Sequence, residues 1–156
     1  MSARDTTDEA SAQKLAQACA DAMWRDDRAS QSLGMTIQHI GRGEAVLAMT
    51  VRQDMTNGHG ICHGGFIFTL ADSTFAFACN TYGQRAVAQQ CAVTFIKPVR
   101  MGEALTAHAV ERSKTGRSGI YDVTVRDGHN SVVAEFRGHS RTIAGDLVVP
   151  NSDTSS

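Results

Sequence analysis

The sequence predicts an α+β domain in which one curved antiparallel sheet wraps a long central helix. Two patterns carry that expectation. About six segments alternate apolar and polar residues with a period of two, and turn signals join most of them, as antiparallel hairpins require. Between the early and late strands, Gly65 to Cys79 is apolar on nearly every side. Phe66, Ile67, Phe68, Leu70, Phe75, Ala76 and Phe77 leave it few polar faces, so a helix there must be buried.

The elements follow in order. Thr6-Thr7-Asp8-Glu9 has the form of a capping box, and Ala12, Leu15, Ala16, Cys19 and Met23 recur behind it at helical spacing. This predicts an amphipathic helix over 7–29 that covers a face of the core. Met35 and Ile37 begin a strand, Gly41-Arg42-Gly43 turns it, and Ala45, Leu47, Met49 and Val51 alternate on the return. A polar loop spans 53–60, and the apolar helix follows. Val87, Cys91, Val93 and Phe95 share one face of the next strand, which Pro98 ends. Leu105, Ala107 and Ala109 mark another strand; Tyr121, Val123 and Val125 mark the one after. Asp127-Gly128-His129-Asn130 is a tight turn, and Val132, Ala134 and Phe136 form the last clear strand. The polar ends, 1–5 and 145–156, read as disordered. The chain thus divides into a helical extension (1–30), a sheet-and-helix domain (31–145) and a tail (146–156).

Composition narrows the function. A chain of 156 residues makes one domain large enough to fold without disulfides. Fifteen basic and sixteen acidic residues leave a net charge of −1, against a general nucleic-acid binder. The apolar segment carries Asp72 and falls short of the ~20 residues of a membrane span. The start has no apolar run of a secretory signal, and Cys19, Cys62, Cys79 and Cys91 form no C-x-x-C pair. The expectation is a cytoplasmic protein with free thiols, acting on neither nucleic acid nor membrane. From 97 to 141 eight basic residues face five acidic ones, either a solvated sheet face or a site for a phosphorylated small molecule.

Chemistry concentrates where the central helix begins. The run from Asn57 to Gly65 is glycine-rich, and a helix N-terminus presents free N–H groups with partial positive charge. Such a start can hold an oxyanion, or the glycines can serve a turn alone. Asp72 lies within the apolar helix, where a carboxylate needs a partner or a function. Its neighbours Ser73 and Thr74 are candidate hydrogen-bond partners. Gly64 and Asp72 are eight residues apart, a rise of about 12 Å. One carbonyl cannot meet both in a single chain, which predicts a site between two subunits. His59 and His63 are four apart but sit in the glycine-rich loop without a third ligand, so no metal is expected and His63 is read as a polar wall. Cys62 and Cys79 read as packing residues, and none of the cysteines has an evident catalytic partner. Neither a G-x-S-x-G elbow nor a P-loop is present.

The run Asn57-Gly58-His59 through Cys62-His63-Gly64-Gly65, with Leu70-Ala71-Asp72 downstream, resembles the hotdog-fold acyl-CoA thioesterases. Phe75-Ala76-Phe77-Ala78-Cys79-Asn80, Phe95-Ile96-Lys97-Pro98, Gly119-Ile120-Tyr121-Asp122 and Phe136-Arg137-Gly138 extend the likeness over about 33–145, toward the phenylacetate-degradation branch. The resemblance implies a hotdog fold and a homodimer or dimer of dimers (a homotetramer). Asp72 would act as nucleophile or as general base for water, and the Gly64 N–H would polarise the thioester carbonyl. Asn57 and His63 would orient substrate or water. Gly65, Ser73, Arg117 and Arg137 are taken as substrate-binding residues, the arginines as partners for phosphates. The implied substrates are acyl-CoA thioesters, chiefly phenylacetyl-CoA and its ring-hydroxylated form. No cofactor is implied, because coenzyme A belongs to the substrate. Two competing readings are an enoyl-CoA hydratase or dehydratase of the same fold, with Asp72 and His63 as acid and base, and an acyl-CoA-binding protein without catalysis.

Overall fold

Arg42 and Gly43 reverse the chain between β1 (Thr36–Gly41) and β2 (Glu44–Thr50), with Gly43 at φ +69°, a conformation that glycine adopts without strain. In this computed structural model, which describes residues 3–148, the strands that follow are β3 (Gln84–Phe95), β4 (Ala104–Thr115), β5 (Ser118–Arg126) and β6 (Val132–Asp146). They form one open sheet in the order β1-β2-β4-β5-β6-β3, antiparallel throughout. Asp127 closes the β5–β6 turn: its Oδ1 accepts the N–H of His129 at 2.9 Å and of Ser131 at 3.0 Å, and Asn130 takes φ 66°.

The central helix α3 (Gly64–Cys79) packs against β2, β4 and β5, as its apolar circumference requires. Leu70, Ala71 and Phe75 are sealed from solvent. The Phe75 ring meets Tyr121 at 5.6 Å and Phe136 at 5.8 Å between centroids. Gly138 lies beneath it, where a β-carbon would stand 2.8 Å from the ring. Burying a phenylalanine of this kind contributes on the order of 2–3 kcal/mol, and the bare glycine is what admits the ring. At its far end α3 is tied to β3 by Asn80, which donates to Ala86 O at 3.0 Å and accepts from Ala86 N at 2.8 Å.

The N-terminal helical region covers a face of this core. α1 (Ala3–Asp26) buries Ala16 and Ala20, and its Trp24 ring stands 6.2 Å from that of Phe77. Two details differ from expectation. The helix already runs at Ala3, so Thr6 lies inside it and is no cap, and residues 3–5 are helical rather than disordered. The helix also breaks at Asp27, whose carboxylate caps a second helix, α2 (Arg28–Ser32), by accepting the Ser30 N–H at 3.0 Å. At the other end β6 carries the sheet through Asp146, past the expected limit at 145. The rest of the tail, 149–156, lies outside the described residues.

β3 departs most from its sequence pattern. A bulge between Ala88 and Gln90 inserts a residue, so Val87 faces away from Cys91 and Val93 and is 45% exposed. The strand after the helix also lands on the far edge of the sheet beside β6, not next to β2. Its other side is unpaired among the described residues. All four cysteines are free thiols, and no described helix is long and apolar enough to cross a membrane.

Candidate active site

The start of α3 is built from its own loop. Asn57 Oδ1 accepts the N–H of His59 at 2.9 Å and of Ile61 at 3.4 Å, and the Asn57 N–H donates to Ile61 O at 2.9 Å. Gly60, at φ +72°, donates to Asn57 O. The loop is therefore folded around the Asn57 carboxamide oxygen, which leaves its NH2 group as the end able to meet a ligand. His63 caps the helix: its Nδ1 accepts the Gly65 N–H at 3.0 Å, and its carbonyl accepts the Phe66 N–H at 3.0 Å. The Gly64 N–H enters neither bond. A ring that accepts at Nδ1 carries its proton on Nε2 when neutral, so the exposed edge of His63 is a donor.

Beside this helix start lies a cavity of about 380 Å³. Ile61, Ile67, Phe95, Ile96, Pro98 and Val99 make it apolar, and Asn57, Cys62, Gly64 and Lys97 supply its polar atoms. That is the size and character of a small-molecule site. Lys97 is held at 2.5 Å from the Oδ2 of Asp127, whose side chain is only 1% exposed.

Asp72 does not line this cavity. It sits half-buried farther along α3, and its Oδ1 accepts from the Cys91 thiol at 3.8 Å, within reach of a sulfur donor. Burial lifts the Asp72 carboxyl above its ordinary range, and the Cys91 hydrogen bond opposes part of that rise. Cys91 itself is pushed up to about 11, first by burial and then by the charge of Asp72. A half-buried carboxylate with raised basicity and no ion pair among the described residues is equipped to attack or to take a proton.

The other expected site residues are scattered. Ser73 and Thr74 do not bond Asp72: Ser73 Oγ meets Ser30 Oγ at 2.8 Å, and Thr74 donates to Leu70 O at 2.7 Å. Successive helical residues point about 100° apart, so neighbours in sequence cannot turn to one another. Gly65 is engaged in the His63 cap. Arg137 forms a bidentate pair with Asp122, at 2.6 and 2.9 Å, on the sheet face opposite α3, and Arg112 joins the same carboxylate at 3.0 Å. Arg117 sits exposed at the tip of the β4–β5 hairpin, beside Gly116 at φ +58°. Neither arginine is brought to Asp72 within one chain.

Sequence reasoning missed Cys91 and Phe95. Cys91 had no evident partner, yet it is the residue that touches Asp72. The signal available was its place on the same strand face as Val93, but nothing in the sequence says that α3 runs alongside β3. Phe95 covers Gly64 so closely that its ring would stand 2.8 Å from an added β-carbon.

Comparison with known proteins identifies the family. Residues 59–134 match the Thioesterase superfamily. The chain is 42% identical over 128 residues to the acyl-coenzyme A thioesterase PaaI of Escherichia coli, covering 82% of this chain and 91% of that one. The structure of the E. coli PaaI protein from the phenylacetic acid degradation operon superposes with a TM-score of 0.85, covering 86% of this chain and 97% of that one. A mutant of the phenylacetic acid degradation protein PaaI from Thermus thermophilus is 39% identical with a TM-score of 0.73, covering 75% of this chain and 100% of that one. Human acyl-coenzyme A thioesterase 13 is 33% identical over 94 residues, covering 58% of this chain and 67% of that one. The fold, the helix-start loop and these likenesses agree: the chain belongs to the thioesterase superfamily, as a hotdog-fold thioesterase of the PaaI group.

Proposed function

We propose that this chain hydrolyses acyl-CoA thioesters, with aryl-acetyl groups such as phenylacetyl and hydroxyphenylacetyl preferred, at a site shared by two copies. The observation that carries the reading is the separation of parts: the cavity beside Gly64 excludes Asp72, while Asp72 lies along the edge strand β3, whose outer side is unpaired among the described residues. α3 runs antiparallel to β3, with Gly64 at Phe95, Asp72 at Cys91 and Asn80 at Ala86. Two copies joined along β3 by a two-fold axis near Val93 would set Asp72 of one copy opposite Gly64 of the other. A homodimer, or a dimer of dimers, is therefore the working assembly.

In that arrangement the acyl group enters the apolar cavity and its carbonyl oxygen meets the Gly64 N–H. The partial positive charge of the helix start favours the oxyanion as it forms. Asp72 of the other copy takes a proton from attacking water, or attacks the carbonyl itself. The C–S bond then breaks, and the coenzyme A thiolate leaves and is protonated. By the water route the free acid forms directly; by the direct route a water then hydrolyses the acyl–Asp72 anhydride, which releases the acid and returns the carboxylate. Asn57 NH2 and the Nε2–H of His63 are donors for orienting substrate or water. Lys97, and Arg117 at its hairpin tip, offer positive charge to the phosphates of coenzyme A. The reading invokes no cofactor or metal, since the Gly64 N–H and the Asp72 carboxylate supply the chemistry and coenzyme A is part of the substrate, and a cytoplasmic setting fits the free thiols. The hydratase reading needs Asp72 and His63 as an acid–base pair; within one chain Asp72 meets the Cys91 thiol and His63 Nδ1 holds the Gly65 N–H, so the enoyl-CoA assay decides between the two readings.

The test is thiol release from phenylacetyl-CoA, hydroxyphenylacetyl-CoA and straight-chain acyl-CoAs, with Asp72→Asn in parallel. Selective aryl-acetyl turnover that disappears in the variant supports the reading. Water addition to an enoyl-CoA with no thiol release would replace it with the hydratase.

A further inference from the structure

We infer that Cys91 is the positioning residue of the reaction: its thiol holds Oδ1 of Asp72 and leaves Oδ2 free to face the substrate. The inference rests on the reading of Asp72 as the reacting carboxylate. Among the described residues the Cys91 thiol, at 3.8 Å, is the hydrogen-bond donor that Asp72 has. Ser73 is occupied by Ser30, Thr74 by the Leu70 carbonyl, and among the described residues no lysine, arginine or histidine pairs with the carboxylate. The choice of donor has a chemical reason. An arginine or lysine at this point would fix the carboxylate but remove the basicity that burial gives it. A thiol is a weak donor, so it restricts the carboxylate's rotation and costs it little basicity. Cys91 stays protonated across the physiological range, because burial and the neighbouring carboxylate push its thiol up to about 11. It therefore acts as a constant donor and not as a competing nucleophile.

The surroundings keep the readout simple. Of the other titratable groups near Asp72, Cys79 on α3 is pushed up to about 12, chiefly by burial, and stays neutral. Asp27, at the α2 side, is bound to Ser30 at 2.7 Å, and Ser30 stands between it and Ser73. Across the proposed seam His63 of the other copy stands beside Gly64, so the change in the acid limb on substituting Cys91, and not the position of the limb itself, reports Asp72.

The experiment measures kcat and KM against pH for full-length wild type, Cys91→Ala, Cys91→Ser and Asp72→Asn. The substrate is whichever of phenylacetyl-CoA, hydroxyphenylacetyl-CoA and butyryl-CoA turns over fastest. Cys91→Ala is expected to lower the plateau kcat about tenfold with KM within about twofold. Its acid limb should also move up by about half a pH unit, because the buried carboxylate has lost its donor. Cys91→Ser, which restores a donor, returns the limb to the wild-type position or below it. An unmoved limb in Cys91→Ala overturns the inference, whether kcat is normal or falls together with thermal stability. If Asp72→Asn keeps near-normal hydrolysis, the reading of Asp72 fails and the inference with it. A dead Asp72→Asn beside an unaltered Cys91→Ala overturns the positioning role alone.

Discussion

The ring of Phe95 lies over Gly64, its Cζ 2.8 Å from the point that a β-carbon would occupy. Phe95 is 51% exposed in the single chain, so the ring can turn outward there without disturbing the core. Gly64→Ala is therefore expected to fold, because alanine suits a helix and the clash is relieved outward. The displaced ring and the added methyl then narrow the cavity at the carbonyl position. Turnover should fall by at least about tenfold with little change in melting temperature. Steady-state thiol release and a thermal melt measure both, and a fully active Gly64→Ala enzyme would remove Gly64 from the site.

Asp72 carries the opposite signature for stability. Its folded-state value lies above the ordinary carboxylate value, so the folded chain is destabilised by the charged form. That penalty is full above the folded value and fades as pH falls toward the unfolded one. Asp72→Asn should thus melt a few degrees higher than wild type near pH 7 while losing nearly all activity. The gain should shrink toward pH 4, and a variant that melts lower than wild type at pH 7 would contradict the desolvation account.

A shared site also predicts complementation. Gly64→Ala and Asp72→Asn chains, each crippled alone, can be unfolded together and reassembled at equal amounts. Half of the dimers are then mixed, and one of the two sites in each has both residues intact. Roughly a quarter of wild-type turnover should return. If both groups served one carbonyl from the same chain, the mixture would stay as slow as its parts.

Asp127 links the β5–β6 turn to the cavity wall through Lys97. Its carboxyl is held down to about 2, by the Lys97 hydrogen bond first and the Ser131 N–H next. A lowered value contributes stability that is present above the unfolded value of 3.8 and is lost as pH falls toward 2. Asp127→Asn should melt lower than wild type at pH 7, and the two curves should converge between about pH 4 and pH 2. Because Lys97 loses its tether, KM for the acyl-CoA should rise more than kcat falls.

Much of the fold is legible in the sequence. The period of two, the tight turns at Arg42-Gly43 and Asp127–Asn130, and the apolar circumference of α3 are local, and local chemistry fixes them. The features that sequence patterns misplace are decided by neighbours far along the chain or by a single inserted residue. Thr6 looks like a cap because its sequence context is right, but α1 already runs at Ala3 and absorbs it. Val87 fits an inward face until the bulge before Gln90 reverses its side.

By itself the sequence determined the fold class, the glycine-rich start of a buried helix and the one carboxylate within it. The rise of about 12 Å between Gly64 and Asp72 follows from helix geometry, and the expectation of a site shared with a second subunit rests on that spacing. The tertiary structure decided the rest. It set β3 beside β6 at the sheet edge, laid α3 antiparallel to it, and so put Cys91 against Asp72 and Phe95 over Gly64. Those contacts join residues 19 and 31 positions apart, and no periodicity within either segment encodes which strand a helix will lie along.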